Sequence, residues 1–176
     1  FVQLEDALAG RGNQIYSEMF AVMDRILKPG GRAATTVIHF RFEIDPVGVS
    51  RGTRAFNRND LYFHAAQLAR DFGGWHPAER QLIECARPYF EHIAREDGTH
   101  DYHLTSEYWI QTVKATIMRR PKCLINVLNR LILHPVHTVR FIDDLLFAQS
   151  WAKQFRDWHG RGAPTFLFRD TWVKIR

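Results

Sequence analysis

Two histidine pairs, His100-x-x-His103 and His134-x-x-His137, have the spacing that puts both rings on one face of a helix, as a metal site would need. The first pair falls in a stretch that reads as a turn, and the second is interrupted by Pro135. No cysteine or carboxylate set completes either, so the nine histidines do not read as a metal centre. Cys85 and Cys123 read as buried, inert thiols rather than nucleophiles. No G-x-S-x-G elbow is present. Gly10-x-Gly12 and Gly160-x-Gly162 each lack the third glycine of a dinucleotide-binding turn. Phe166, Phe168 and Trp172 would suit base stacking, but they lie in a segment that reads as a buried strand, so core packing is the better reading. Lys114, Arg119, Arg120 and Lys122 form the one dense basic cluster, read as a solvated face or an anionic contact.

Composition bounds what these residues can belong to. The chain has 176 residues with 24 Lys and Arg against 19 Asp and Glu, a net charge of +5. With 45% hydrophobic and 13% aromatic residues it has ample apolar surface to fold, which excludes a disordered chain. Eleven Gly and seven Pro exclude a collagen-like chain, and two Cys exclude a disulfide scaffold. The length suits one domain. No stretch approaches the roughly 18 apolar residues of a membrane-spanning helix, and no signal peptide opens the chain. Two lone cysteines fit a reducing compartment, cytoplasmic or mitochondrial. Phe1 is not Met, and the chain enters at once into an apolar segment, which reads as the back part of something longer.

The elements that must position any site follow from local signals. Phe1–Leu4 reads as the end of a strand, broken by Gly10-Arg11-Gly12. Asn13 reads as the cap of a helix whose stripe is Ile15, Met19, Val22, Met23, Ile26 and Leu27. Lys28-Pro29-Gly30-Gly31 stops that helix. Ala33–Phe42 is β-rich, and its near-continuous apolar run suits a strand covered on both faces. Asp45–Thr53 reads as a loop. A helix capped by Asn57 or Asn59 carries Leu61, Ala65, Leu68 and Phe72 and ends at Gly73-Gly74. His76-Pro77 opens a short helix with Leu82, Ile83 and Ala86. Pro88–Arg95 reads as a strand and Glu96-Asp97-Gly98 as a turn. Thr105 or Ser106 caps a helix towards Arg120, Pro121 starts another, and His134-Pro135 a third with Val139, Ile142, Leu145, Leu146, Ala152 and Phe155 in its stripe. Gly160-Arg161-Gly162 ends the helical region, and Thr165–Ile175 is a last strand. Strands alternating with helices predict an α/β sheet, largely parallel.

Three segments carry a resemblance. Phe20 to Gly31, ending in Leu27-Lys28-Pro29-Gly30-Gly31 before a strand, resembles the helix–turn–strand element of class I S-adenosylmethionine-dependent methyltransferases. Asp101-Tyr102-His103-Leu104-Thr105 followed by Trp109 resembles the D-Y-x-x-T-x-x-W segment of the cyclopropane-fatty-acyl-phospholipid synthase-like members. Phe168 to Val173 is similar to their last strand. The resemblance implies an α/β fold class: the C-terminal part of a Rossmann-like methyltransferase sheet, strands four to seven, the last strand antiparallel, with a helical insert over about 106–158. Phe1–Leu4 would be strand four, Ala33–Phe42 five, Pro88–Arg95 six and Thr165–Ile175 seven. The whole of 1–176 would be one partial domain.

The resemblance also implies the chemistry. Such enzymes move a methyl group from a sulfonium donor to an electron-rich carbon, often in a lipid, so the protein mainly positions the acceptor and removes a proton. Tyr102 would be the catalytic tyrosine, and Glu5 the catalytic carboxylate near the family's acidic position after strand four. Leu4 and Asp6, at the end of strand four, would border the cofactor, S-adenosylmethionine. The family histidine of strand five falls near Thr36, and His39, three residues on, faces the other way and reads as a core or surface histidine. The glycine-rich turn and acid that grip the donor belong to the first three strands, which this chain lacks, so no cofactor is expected on it alone.

Two readings of function follow. One is an enzyme whose N-terminal half completes the fold. The other is a catalytically inactive, methyltransferase-derived subunit packed in a larger assembly, with a mitochondrial one among the options. A methyltransferase acting on nucleic acid rests on charge alone. Half a sheet with an unpaired strand-four edge is expected to be unstable by itself.

Overall fold

The computed structural model describes residues 2–52, 65–67, 69, 73–156 and 163–175. The expectations at Asn57, Asn59, Leu61, Leu68, Phe72 and Gly160-Arg161-Gly162 lie outside them.

The first element is a helix, not a strand. Val2 and Gln3 are extended, but α1 spans Leu4–Leu8. The Asp6 carboxylate accepts the Gln3 N–H at 3.0 Å, and an acid three residues after a cap stabilises a helix start. The expected strand at Phe1–Leu4 is therefore corrected. α2 spans Gly12–Ile26 and buries Tyr16 and Phe20. The predicted stripe is rotated: Ile15, Met19, Met23 and Leu27 pack at its margins, whereas Ile26 is 76% exposed and Val22 also faces out. The helix turns so that Phe20 can meet Trp172 and Phe90, at ring separations of 5.2 and 5.9 Å.

The Lys28–Gly31 turn joins this helix to the sheet. Gly30 takes φ +70, and a Cβ on Gly31 would stand 2.7 Å from the Lys28 carbonyl oxygen, so both positions need glycine. The turn is tied to the last strand, since Gly30 N–H donates to the Lys174 carbonyl and Lys174 N–H to the Gly31 carbonyl. The Lys174 ammonium also caps α2, donating to the Asp24 and Leu27 carbonyls at 2.6 and 3.0 Å.

β1 spans Arg32–Phe40, and both its faces are buried only at His39 and Phe40. The expected loop after it contains a helix, α3, Pro46–Gly52. Asp45 explains the difference: its carboxylate accepts the N–H groups of Val47 and Gly48 at 3.0 and 2.9 Å, and Pro46 is tolerated in a first turn. α4 is Gln81–Ala86 and β2 is Phe90–Asp97. α5, Thr99–Arg119, starts six residues before the expected caps Thr105 and Ser106. Asp97 accepts the Thr99 N–H at 2.9 Å and so begins the helix early. α6, Pro121–Leu133, and α7, Pro135–Asp143, start at the prolines that announce them. A π-helical turn at Asp144–Ala148 follows, then α8, Ser150–Lys153, and β3, Thr165–Lys174.

The sheet order is β1-β3-β2. β3 runs antiparallel to both neighbours, as the last strand of the implied fold should. The expectation of a largely parallel sheet is corrected for the described residues: β1 and β2 point the same way, but β3 inserts between them and makes both ladders antiparallel. On its other edge β1 forms one parallel bridge, Phe40 to Ala78. The main core lies on one sheet face, where Trp172, Phe20, Phe90, Leu82, Cys85, Tyr16 and Val2 meet.

Candidate functional site

Phe40 ends β1 opposite Thr165, and Asp97 ends β2 opposite Phe168. The carboxyl ends of both strands therefore lie beside the start of β3, on the edge where open α/β sheets bind ligands. Leu4 brings α1 to this edge by packing on the cluster of Phe40, Ile44, Val49, Ala65, Ala66 and Trp75. The start of α5 is brought there by two bonds: Gly98 N–H donates to the Leu167 carbonyl at 2.9 Å, and Leu167 N–H donates to the Thr99 hydroxyl at 3.1 Å.

The residues singled out from sequence fall around this edge on two separate elements. Tyr102 occupies the first turn of α5, half-buried, with its ring edge-on to Phe155 at 4.9 Å and Trp109 at 5.9 Å. Among the described residues its hydroxyl has no hydrogen-bond partner. Glu5 is exposed on α1. Leu4 is half-buried in the apolar cluster. Asp6 is engaged locally, holding the Gln3 N–H and the Arg11 guanidinium. The structure thus sets Leu4 and Tyr102 at one end of the sheet, with Glu5 and Asp6 on the helix that Leu4 opens.

His39 is completely buried, which makes it a core histidine. Burial pushes its pKa down to about 4, against the hydrogen bond that the Ala78 carbonyl accepts from Nδ1 at 3.3 Å. Its Nε2 has no partner among the described residues. His76, ring-on-edge to Phe40 at 5.1 Å, is likewise held near 4, chiefly by burial and then by His39. Both rings are neutral at pH 7.

Sequence reasoning missed a charged cluster. Asp170 is fully buried on the central strand. Arg95 grips it with two bonds, Nε to Oδ1 at 2.7 Å and Nη2 to Oδ2 at 3.1 Å, and His92 Nε2 lies 2.8 Å from the same Oδ1. Burial works to raise the Asp170 pKa, but the hydrogen bonds and charges of Arg95 and His92 prevail, and it is lowered. The Arg95 guanidinium also lies 4.0 Å over the Phe168 ring. The one available signal was a lone carboxylate in an apolar strand. Its partners, 75 and 78 residues away, were not visible without the register.

The remaining chemistry is quiet. His100 and His103 lie in α5 rather than in a turn, and His103 contacts the Ala152 carbonyl and Glu107. His134 and His137 line an open groove of about 580 Å³ between α6 and α7. No set of three metal-ligating side chains exists among the described residues. Cys85 is buried, which raises its thiol pKa. Trp172 and Phe168 are core residues, 0% and 6% exposed, which removes the base-stacking reading. No described helix is long and apolar enough to cross a membrane.

No family model matches the sequence, and no curated protein matches it. Solved structures do. The cyclopropane synthase MmaA2 from Mycobacterium tuberculosis matches with TM-score 0.63 at 17% identity, covering 93% of this chain and 51% of that one. The mycolic acid cyclopropane synthase CmaA1 complexed with SAH and CTAB matches with TM-score 0.62 at 16% identity over the same shares. Its apo-form matches with TM-score 0.57 at 15% identity, covering 93% of this chain and 54% of that one. The chain spans about half the length of the structures it matches. Over that half it has the fold of the cyclopropane synthases, a partial S-adenosylmethionine-dependent methyltransferase fold.

Proposed function

We propose that the chain is the C-terminal portion of a cyclopropane-fatty-acyl-phospholipid synthase-like methyltransferase that moves a methyl group from S-adenosylmethionine to a lipid or other carbon acceptor. The observation that carries this reading is the Lys28–Gly31 turn feeding a β1-β3-β2 sheet with an antiparallel β3, a fold shared with cyclopropane synthases over 93% of the chain. One of those neighbours holds SAH, the donor without its methyl group.

The described residues do not fit a complete grip on the donor. A Cβ on Gly10 or Gly30 would meet open space, so neither marks backbone brought against a ligand. Asp6 already holds Gln3 and Arg11. We assign the donor's main grip to the other half of the fold, supplied in the same protein or by another subunit, with Leu4 and Asp6 at its border. On the acceptor side, Tyr102 orients the substrate through its free hydroxyl, and Glu5 is the carboxylate that takes up the proton.

Calorimetric titration of the full-length protein with S-adenosylmethionine and with SAH tests the reading. Saturable binding of both supports it, and absence of both in the folded protein ends it. The second reading, an inactive subunit of a larger cytoplasmic or mitochondrial assembly, is favoured by apolar side chains left in solvent on α6, with Ile132 79% and Leu133 70% exposed. Co-purification in a stable complex without donor binding would establish it.

A further inference from the structure

We propose that the α6–α7 hairpin is a docking surface for anionic lipid bilayers. The argument starts from charge. Between Tyr108 and Ile142 the chain holds six Lys or Arg, at 114, 119, 120, 122, 130 and 140, and no Asp or Glu. The remaining 18 bases and 19 acids nearly cancel. The whole positive excess of the protein is thus concentrated on one pair of helices and the end of the helix before them.

The same helices leave their apolar side chains in water. α6 has no buried residue. Leu124, Ile125, Leu128 and Ile132 are 43%, 54%, 50% and 79% exposed, and at 3.6 residues per turn they fall within one arc of about 100°. Arg130, by contrast, lines the groove towards α7 with Asn126 and His137. Val136 and Val139 on α7 and Met118 at the end of α5 extend the apolar surface at 57%, 55% and 79% exposure. A large exposed apolar face marks an interaction site.

The combination selects the occupant. A helix with an apolar face and basic flanks lies in the boundary between headgroups and acyl chains, where both halves of its surface are satisfied, and clustered Lys and Arg next to it favour anionic headgroups. Nucleic acid would use the bases but leave Leu124, Leu128 and Ile132 in water. A second copy would bring six like charges against six. The helices, 13 and 9 residues long, are too short to span a bilayer and lie on it. This inference does not depend on methyl transfer, since a protein that binds no donor would dock equally well.

Sedimentation of the full-length protein with phosphatidylcholine vesicles, with or without phosphatidylglycerol, tests it. The protein should sediment with the anionic vesicles, about tenfold more weakly with phosphatidylcholine alone, and less as salt rises. Arg119→Glu with Arg120→Glu and Lys122→Glu, and separately Leu128→Gln with Ile132→Gln, should each weaken anionic-vesicle binding by about tenfold or more. On the unaltered protein, anionic vesicles should slow hydrogen exchange across 121–142. Equal partition into both vesicle types, no protection of that segment, or a protein subunit, an RNA duplex or self-association that occupies the face without vesicle binding overturns the proposal.

Discussion

Asp170 and Arg95 are locked side by side across the two strands β3 and β2, sharing bonds of 2.7 and 3.1 Å, with the carboxylate fully buried. Removing one partner leaves a charge without compensation in a poorly solvated place. Asp170→Asn is expected to destabilise the protein by about 3 kcal/mol, whereas Asp170→Leu combined with Arg95→Leu should recover part of that loss. Urea unfolding of the three proteins checks the order, and equal stability of the single and double variants would refute it.

The turn between α2 and β1 should not tolerate side chains. Gly30→Ala places a β-carbon residue at φ +70 with open space around it, and should cost about 1 kcal/mol. Gly31→Ala drives a Cβ against the Lys28 carbonyl and should cost more, because backbone must shift. Thermal melts of the two variants give the ranking directly.

Stability should fall in mild acid because of His39. Its folded pKa, about 4, lies below its ordinary 6.5. The unfolded chain therefore takes up the proton first. The stabilisation is complete above pH 6.5 and is lost as pH falls towards 4, by about 3 kcal/mol. His76 adds a change of the same sign. Asp170, with its lowered pKa, also loses stabilisation as pH falls, but at lower pH. Denaturation midpoints measured between pH 4 and 7 should drop for the natural protein and drop less for His39→Phe.

Tyr102→Phe should leave folding intact, since the hydroxyl has no partner among the described residues, and should lower methyl transfer by about 100-fold if the hydroxyl orients the acceptor. Turnover of labelled donor by the full-length protein is the readout. Unchanged turnover removes Tyr102 from the mechanism.

What was legible in the chain was what short-range chemistry decides. Pro121 and Pro135 start their helices because a first turn needs no proline N–H. Lys28–Gly31 ends α2 because only glycine accepts the required backbone. The β-rich runs at Ala33 and Thr165 became strands. The differences are also local and lie at carboxylates that cap helix starts: Asp6 turns an expected strand end into α1, Asp45 turns a loop into α3, and Asp97 starts α5 early enough to put Tyr102 on a helix.

The sequence by itself therefore determined the strands at Ala33, Pro88 and Thr165 and the helices that glycine and proline delimit, the resemblance that its Tyr102 segment and glycine turn imply, and the concentration of positive charge between Lys114 and Arg140. Only the tertiary structure decided that β3 lies between β1 and β2, that Asp170 meets Arg95 and His92, and that Leu4 and the helix of Tyr102 lie at the same end of the sheet. Those relations join residues dozens of positions apart, and they are fixed by strand register and burial, neither of which is written in any short stretch of chain.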